Sequence, residues 1–460
     1  MIKLYFIEIK NKIRLEDYFL KKLKFYFSLV IARLIYFVFK TTKLSSGTAI
    51  IGLIVSKICP NFLDIANNYV TKSKINITGT NGKTTTSGLL SHLMKESGES
   101  VLNNSMGANM LNGIINALAL QINPFKKSDF SVIETDEAFV EVVYKSFDSN
   151  YLLVTNLFRD QLDRYGELAV TKKFIQNGID LKPDLQLVLN ADDPLVASFN
   201  YQNKAPIYYG VENVTYKDGL EHLPSKAEEA FNCPCGKALK YNKKFYAQQG
   251  HYFCDCGYSR PEVKYSAEVT IYKTYSILNI NGEEFEVPLV GLFNAYNALG
   301  AIALAKELGI KDIQKNLKTF KVAFGRSEVK YLNGHRTLIQ LIKNPAGASE
   351  VLKTIDLDSN LLIIINDNYA DGRDVSWLWD ADFEALANVH KEIVVSGSRA
   401  NDMALRLKYA GVDTNKIRIL QDIKQAVDYI ANSADNDITV LPTYTALLKI
   451  NKMKNFRRGK

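Results

Sequence analysis

The sequence predicts an α/β fold with two parallel sheets covered by helices. From about residue 70, short apolar runs alternate with helical stretches, and a second such series follows Arg326. This alternation is typical of parallel sheets with helices on both faces. A glycine turn between an apolar run and a helix further indicates that the first sheet binds a ligand at its edge. A chain of 460 residues has room for several domains of roughly 100 to 200 residues each.

Buried strands are predicted in both series. In the first they are Ile75–Thr78, Phe130–Glu134, Tyr151–Thr155 and Leu185–Asn190, and in the second Leu361–Ile365, Glu392–Ser396, Ile417–Leu420 and Ile438–Leu441. Between the series, Ser266–Tyr272 and Ser276–Asn281 alternate apolar and polar residues, as antiparallel strands do. The chain is therefore expected to form a larger α/β domain followed by a smaller one.

The N-terminal segment is basic and apolar. Residues 1–40 hold nine Lys or Arg and three Asp or Glu, while the whole chain carries +8. The remainder is nearly neutral, so we expect no nucleic-acid partner, which would require a basic stripe on a folded face. Phe25–Phe39 contains Arg33 and is shorter than the ~20 residues that cross a bilayer. Two interpretations stay open: a helix packed on the protein's own core, and a helix resting on an anionic membrane surface.

The strongest motif is a phosphate-binding loop after the strand Ile75–Thr78. Its glycines allow backbone N–H groups and a helix N-terminus to face a polyphosphate, and its lysine adds a positive charge. The following threonine, Thr84, is a candidate Mg²⁺ ligand. The loop residues are Gly79, Thr80, Asn81, Gly82, Lys83, Thr84 and Thr85.

A carboxylate cluster follows the strand Phe130–Glu134. Glu134, Asp136 and Glu137 lie where parallel sheets bind their ligands, so Glu134 is a candidate second Mg²⁺ ligand. Three acids in a solvated loop would give the same pattern, and this alternative stays open.

Four cysteines form two close pairs within the predicted insertion 213–262. Cys233 and Cys235 precede Gly236, and Cys254 and Cys256 precede Gly257. Four thiolates in two such pairs can close a tetrahedral Zn²⁺ site, which would be structural because it leaves no open coordination position. Disulfides are the alternative, and His251 could replace one thiolate as a ligand.

A further loop, residues 366–377, follows the strand Leu361–Ile365. It contains a glycine turn and the carboxylates of Asp367, Asp371 and Asp374. The pattern favours a binding site at a strand end, although a charged surface turn remains an alternative.

The order of these elements resembles the Mur ligase family, whose central domain activates a carboxylate with ATP. The resemblance implies a Mur ligase-like central P-loop ATPase domain over residues 46–325 with a zinc-ribbon-like insertion. Residues 1–45 would precede it, and a smaller Rossmann-like α/β C-terminal domain would follow over 326–460. It also implies nucleotide-side roles for Asn156, Asn294, Asn297 and Arg326.

The cysteine insertion and the loops at Lys343–Gly347, 366–377 and Leu441–Thr445 resemble the MurT branch of the family. That resemblance implies a ligase in the cytoplasm or at the inner face of the cell membrane, which uses ATP, Mg²⁺ and Zn²⁺ to amidate D-glutamate in lipid II. A GatD-like glutamine amidotransferase would supply the ammonia as the second subunit of a heterodimer. In this arrangement Asp374 would complete the partner's cysteine–histidine pair.

Two departures limit the resemblance. Gln161 stands where amino-acid-adding Mur ligases carry a metal-binding histidine, which puts a second Mg²⁺ in doubt. Lys172 and Lys173 lie near the place of a carbamylated lysine, but their spacing from Gly166 is too short for an assignment. The alternatives are a folylpolyglutamate-type ligase that joins an amino acid, and a non-catalytic zinc-ribbon scaffold.

Overall fold

The computed structural model describes residues 2–42, 48–104, 108–158, 168–218, 232–320, 326–453 and 455–458. For residues 2–18, 48, 326–328, 457 and 458 it describes the backbone only. Two sheets dominate these parts of the chain, and a small hairpin lies apart from both.

The larger domain contains a nine-stranded sheet in the order β11-β10-β9-β6-β5-β4-β1-β3-β2. The seven strands β9, β6, β5, β4, β1, β3 and β2 pair in parallel with their neighbours in the sheet. The edge strands β10 and β11 extend the sheet from β9 by antiparallel pairing. Their bounds are β1 Val70–Thr78, β2 Val101–Asn103, β3 Ser128–Glu134, β4 Tyr151–Val154, β5 Gln186–Asn190, β6 Ile207–Tyr216, β9 Tyr265–Ile271, β10 Ser276–Ile280 and β11 Glu283–Val287. The separate hairpin consists of β7 Lys240–Tyr246 and β8 Gln249–Phe253.

Helices bury both faces of this sheet, as an apolar parallel sheet requires. One face packs on the helices Lys83–Glu96, Leu292–Glu307 and Ile313–Leu317. The other packs on Ile2–Thr42, Thr48–Ile58, Phe62–Ala66, Leu111–Gln121, Val140–Tyr144, Leu168–Asp180 and Pro194–Ala197. The first group places the helix that follows the phosphate-binding loop beside the helix that carries Asn294 and Asn297.

The smaller domain contains a seven-stranded sheet in the order β16-β15-β14-β17-β13-β12-β18. Its strands are β12 Arg326–Leu332, β13 His335–Gln340, β14 Asn360–Ile364, β15 Ile393–Ser396, β16 Ile417–Ile419, β17 Ile438–Pro442 and β18 Phe456–Arg458. Its helices are Pro345–Leu352, Trp377–Asp380, Ala400–Tyr409, Ile423–Ser433 and Tyr444–Asn451. The sheet is parallel from β16 to β13 and antiparallel at β12 and β18.

The N-terminal segment forms a helix, Ile2–Thr42, that packs on the larger domain with one face. Phe25 stacks on Phe62 and Tyr69, with ring centroids 4.9 and 5.3 Å apart, and Arg33 donates to the carbonyl oxygen of Ile122. In the described part of the chain, every single helix is too short or too polar to span a bilayer. The helices Ala49–Ile58 and Phe62–Tyr69 reach the required length and apolarity only together, and this pair is bent by 93°.

The predicted fold class and strands are confirmed, with differences at two places. The antiparallel edge of the smaller sheet was not predicted, because β12 and β13 are amphipathic rather than continuously apolar. The insertion was predicted to begin at residue 213, but strand β6 continues to Tyr216, and Val214 within it pairs with Val269 of β9. The insertion between β6 and β9 therefore begins after Tyr216.

Candidate functional site

The phosphate-binding loop lies between β1 and the helix Lys83–Glu96, and it requires both of its glycines. Gly79 and Gly82 have φ angles of +123° and +87°, and residues other than glycine rarely adopt this backbone conformation. A Cβ on Gly79 would lie 2.3 Å from Thr155 Oγ1, and one on Gly82 would lie 1.9 Å from Asn297 Oδ1. The loop is therefore closely enclosed by two neighbouring segments of the domain.

Asn156 holds the loop in shape. Its side-chain oxygen accepts a hydrogen bond from the Asn81 backbone N–H at 2.8 Å, and its carbonyl oxygen accepts from the Thr80 N–H. Thr80 Oγ1 also accepts from the Phe158 N–H. The predicted nucleotide residue Asn156 thus lies at the site and also supports the loop backbone.

Lys83 is buried at the start of the helix. Its Nζ donates to the Gly79 carbonyl oxygen at 2.5 Å and lies 2.9 Å from Glu137 Oε2. Burial opposes the charged ammonium, but the carboxylates of Glu137, Asp136 and Glu134 outweigh it and raise the pKa of Lys83. The lysine is consequently a permanent positive charge inside the loop.

Glu134 ends β3, the strand beside β1, and has an incomplete set of partners. Its Oε1 accepts from Asn109 Nδ2 at 3.2 Å, while its Oε2 is buried without a hydrogen-bond partner in the structure. A buried carboxylate oxygen without a donor is destabilising unless a cation or donor completes it. Glu134 therefore fits the predicted Mg²⁺ role. Thr84, the other predicted ligand, is half-buried in the first turn of the helix Lys83–Glu96, which follows the adjacent strand β1.

A cleft runs from the phosphate-binding loop to the smaller domain. From the larger domain it includes Asn81, Gly82, Thr85 and Asn156. The predicted residues Asn294 and Asn297 also line it, together with Phe293. From the smaller domain it includes Gln340, Leu341, Lys343, Gly347 and Val351. Both domains therefore build the candidate nucleotide site.

The two domains are hydrogen-bonded across this cleft. Asn344 exchanges amide hydrogen bonds with Asn81, and Lys343 Nζ donates to the Thr80 carbonyl oxygen at 3.3 Å. Farther along, burial raises the pKa of Tyr444, and the carboxylates of Asp371 and Glu134 raise it further. Tyr444, which follows β17, is therefore within electrostatic range of Glu134.

Tyr246, at the tip of the β7–β8 hairpin, was not predicted as a site residue. It lines the cleft beside Asn81, and its ring centroid lies 5.2 Å from that of Phe158. Gln248 at the same tip donates to the Leu157 carbonyl oxygen. No local motif marks these residues, so only the fold could reveal that the insertion reaches the nucleotide cleft.

The four predicted zinc ligands converge. The sulfur atoms of Cys233, Cys235, Cys254 and Cys256 all lie within 4.8 Å of one another. The closest pairs are 3.3 and 3.6 Å apart, well beyond the ~2.05 Å of a disulfide. The cluster therefore has the donor set and spacing that a tetrahedral zinc ion requires.

Each cysteine pair lies in a tight glycine turn, and the thiols differ in pKa, since burial raises the pKa of Cys233 to about 12. Gly236 and Gly257 adopt φ angles of +85° and +95°, which curl each turn back on its cysteine. The Tyr258 backbone N–H is the largest of the hydrogen bonds that lower the pKa of Cys256 to about 7. His251 lies instead 2.8 Å from the Val211 carbonyl oxygen, so the alternative of a histidine ligand is not supported.

The carboxylates of the 366–377 loop have different roles. Asp367 accepts from Ser398 Oγ and Asp371 accepts from the Thr445 backbone and side chain, so both hold the smaller domain together. Asp374 is exposed, and its Oδ1 accepts from the Ser376 N–H. Asp374 thus faces outward rather than into the nucleotide cleft.

Three predicted positions lie wholly or partly outside the described residues. Gln161 and Gly166 lie outside the described residues, and of Arg326 only the backbone at the start of β12 is described. Lys172 donates to Ser198, and Lys173 is exposed. Among the described residues neither lysine lines the cleft.

Comparisons with known proteins agree with this architecture. Residues 77–305 match the Mur ligase middle domain, and residues 341–447 match the MurT ligase C-terminal domain. The chain is 37% identical over 410 residues to lipid II isoglutaminyl synthase subunit MurT of Staphylococcus aureus, covering 87% of this chain and 91% of that protein. It is 33% identical to the Streptococcus pneumoniae subunit of the same name, with 90% and 94% covered.

A solved structure supports the same fold. A pseudomurein peptide ligase type C from Methanothermus fervidus superimposes with a TM-score of 0.65 at 26% sequence identity. The match covers 84% of this chain and 79% of that one.

Proposed function

The chain belongs to the MurT family, and from this premise we propose that it is the ATP-using subunit of a lipid II isoglutaminyl synthase. It would convert the α-carboxylate of D-glutamate in the stem peptide to the amide, giving D-isoglutamine. The nitrogen would be ammonia from a glutamine amidotransferase partner of the GatD type. The relatives' names, which designate a subunit, support the need for a partner.

The proposed chemistry has two steps. A carboxylate oxygen of the substrate bonds to the γ-phosphorus of ATP, and the bond to the ADP oxygen breaks. Ammonia then bonds to the carbonyl carbon of the acyl phosphate, inorganic phosphate leaves, and the nitrogen loses a proton. Such phosphoryl transfer requires positioning and neutralisation of negative charge more than covalent chemistry by the protein.

The observation that carries the proposal is that two charged groups follow the adjoining strands β1 and β3. Lys83, after β1, is buried and ion-paired with Glu137, and Glu134, at the end of β3, has a buried Oε2 without a hydrogen-bond partner. Lys83 and the loop N–H groups would hold the β- and γ-phosphates, and Thr84 with Glu134 would hold Mg²⁺. Bound magnesium would neutralise the charge on the transferred phosphoryl group. Asn294 and Asn297 would hold the nucleotide from the opposite wall, and Arg326 would approach it from the linker.

The smaller domain would provide the second reactant. Tyr444, at the end of β17, is within electrostatic range of Glu134, and the activated carboxylate would form on this side of the domain. Asp374 is exposed on the same domain, where a partner's histidine could reach it. We assign Asp374 to the glutaminase interface and the four cysteines to a structural Zn²⁺ site.

The test is amidation by the chain co-purified with its glutaminase partner. ADP release and the amidated product, detected by mass spectrometry, should both require a precursor bearing D-glutamate together with glutamine or ammonium. A folylpolyglutamate-type ligase would instead release ADP and attach an added amino acid. A scaffold would release no ADP with any of these substrates, and either result would refute the proposal.

A further inference from the structure

The N-terminal helix Ile2–Thr42 has a second apolar face that is more than half exposed in the described part of the chain. Phe25, Leu29 and Ala32 are buried against the larger domain. Six large apolar residues on the opposite face are 54–71% exposed: Phe19, Leu23, Phe27, Val30, Leu34 and Phe37. We name these six residues the outer stripe.

The outer stripe is continuous along the helix. Its residues follow one another at intervals of three or four positions, which places all of them on one side of an α-helix. At 1.5 Å per residue the stripe is roughly 27 Å long. Isolated exposed apolar residues are ordinary, but a contiguous row of this length indicates an interaction surface.

The helix cannot readily turn this stripe inward. Its opposite face is fixed by the Phe25 stack on Phe62 and by the Arg33 bond to the Ile122 carbonyl oxygen. The neighbouring helix Thr48–Ile58 extends the exposed surface with Ile50 and Leu53, which are 53% and 43% exposed. The outer stripe therefore remains at the surface while the larger domain is folded.

The charges beside the stripe have one sign. Residues 19–40 contain five Lys or Arg and no Asp or Glu. By helical geometry Lys24 and Lys40 flank the stripe on opposite sides, and both are exposed. Long lysine side chains can keep their ammonium groups at a headgroup layer while apolar neighbours enter the acyl region.

We propose that the outer stripe docks the protein on an anionic lipid bilayer, with the helix lying in the plane of the interface. Charge complementarity selects this occupant, since anionic headgroups attract the basic flanks. A second copy of the helix would bring the same basic flanks together and would be repelled. This inference deepens the proposed function, because a lipid-linked precursor lies in a membrane.

The test is flotation of the full chain with vesicles of phosphatidylcholine, alone or with about 30% phosphatidylglycerol. We expect binding to the anionic vesicles and weaker binding to the neutral ones. The double variant Phe27→Glu and Leu34→Glu should bind anionic vesicles at least about tenfold less, because two charges enter the apolar face. The matched control is Leu405→Glu, which changes a 48% exposed leucine on a helix of the smaller domain and should bind like wild type.

Three results would overturn the proposal. They are no flotation of the wild type, equal flotation of the double variant, and a wild-type dimer that the double variant dissociates without any vesicle binding. Thermal unfolding establishes whether the double variant is folded. If it is not, Lys24→Glu with Lys40→Glu replaces it, and this pair should lose the preference for anionic vesicles.

The failure of this inference can be told apart from failure of the proposed function. A water-soluble precursor without the lipid tail should be amidated from ammonium equally by the wild type and the double variant. Wild-type inactivity on that precursor would count against the proposed function alone. Equal loss on soluble and vesicle-bound precursor in the double variant would contradict the docking role.

Discussion

Asn81 in the phosphate-binding loop and Asn344 in the smaller domain exchange two side-chain hydrogen bonds, of 2.9 and 3.3 Å. Asn344 is also the N-cap of the helix Pro345–Leu352, since its Oδ1 accepts from the Gly347 N–H at 2.8 Å. One side chain thus caps a helix of the smaller domain and also contacts the phosphate-binding loop. The position of the smaller domain is therefore tied to the loop's conformation.

Asn344→Ala should weaken ATP binding because the loop loses its contact with the smaller domain. We expect KM for ATP to rise about tenfold, together with about 1 kcal/mol lost from the free energy of unfolding through the missing cap. Asp422→Ala is the matched control, because Asp422 caps the helix Ile423–Ser433 in the same domain without contacting the larger one. Equal KM values in the two variants would show that the bridge does not hold the nucleotide.

Lys83→Ala and Glu134→Ala should each lower ADP formation by about 10²- to 10³-fold, because both residues act on phosphoryl and metal charge. Glu134→Gln is a sharper variant, since it keeps the side-chain volume and removes the charge. It should lose the same activity without lowering the midpoint of thermal unfolding by more than a few degrees. Lys145→Ala, which removes an exposed lysine paired with Glu141, is the control and should retain full turnover. Full activity of Glu134→Gln would move the metal site elsewhere.

Removing zinc should weaken nucleotide binding as well as stability. The cysteine cluster anchors the β7–β8 hairpin, whose tip places Tyr246 in the cleft and Gln248 on the loop after β4. Cys256→Ser should lose the metal, unfold at lower temperature and bind ATP several-fold more weakly, as calorimetry would measure. Cys59→Ser changes a buried cysteine outside the cluster and should keep both zinc and ATP affinity. Unchanged ATP affinity in metal-free Cys256→Ser would confine zinc to a structural role.

The sequence motifs located the phosphate-binding loop because strand, glycine turn and helix are adjacent in the chain. They also located the cysteine cluster, since its spacing is local to each pair. The bridge between Asn81 and Asn344 joins residues 263 positions apart, and nothing in either segment indicates the other. The sequence likewise indicated no individual role for Glu137 within its carboxylate cluster. In the structure Glu137 forms the ion pair that the buried Lys83 requires.

Sequence reasoning also understated the cysteine insertion. Its composition indicated a lobe held by zinc, and the structure brings the four predicted ligands together. The approach of Tyr246 to the cleft depends on how the hairpin packs, with Gln248 bonded to Leu157 and Arg260 bonded to the buried Asp192. Such contacts between distant segments follow from the fold and leave no periodic or motif signal.

The last prediction concerns Asp374 and the source of nitrogen. A glutaminase requires a nucleophilic cysteine with a histidine, and four of the five cysteines in this chain form the cluster that we assign to zinc. The fifth, Cys59, is buried, and burial raises the pKa of its thiol, so it is a poor nucleophile. The chain alone should therefore hydrolyse no glutamine and should amidate only with a high concentration of ammonium.

With the partner present, Asp374→Asn should reduce glutamine-driven amidation by about 10²-fold or more while ammonium-driven amidation changes little, if the carboxylate orients the partner's histidine. The exposed position of Asp374, outside the nucleotide cleft, is the structural reason for this separation. Asp371→Asn is the contrasting variant, because Asp371 accepts hydrogen bonds from Thr445 inside the smaller domain. This change should lower glutamine-driven and ammonium-driven amidation alike. Both reactions are followed by product formation with wild type and variants side by side. Equal loss with both sources in Asp374→Asn would assign this residue to the synthetase reaction instead, and glutamine hydrolysis by the lone chain would refute the two-subunit proposal.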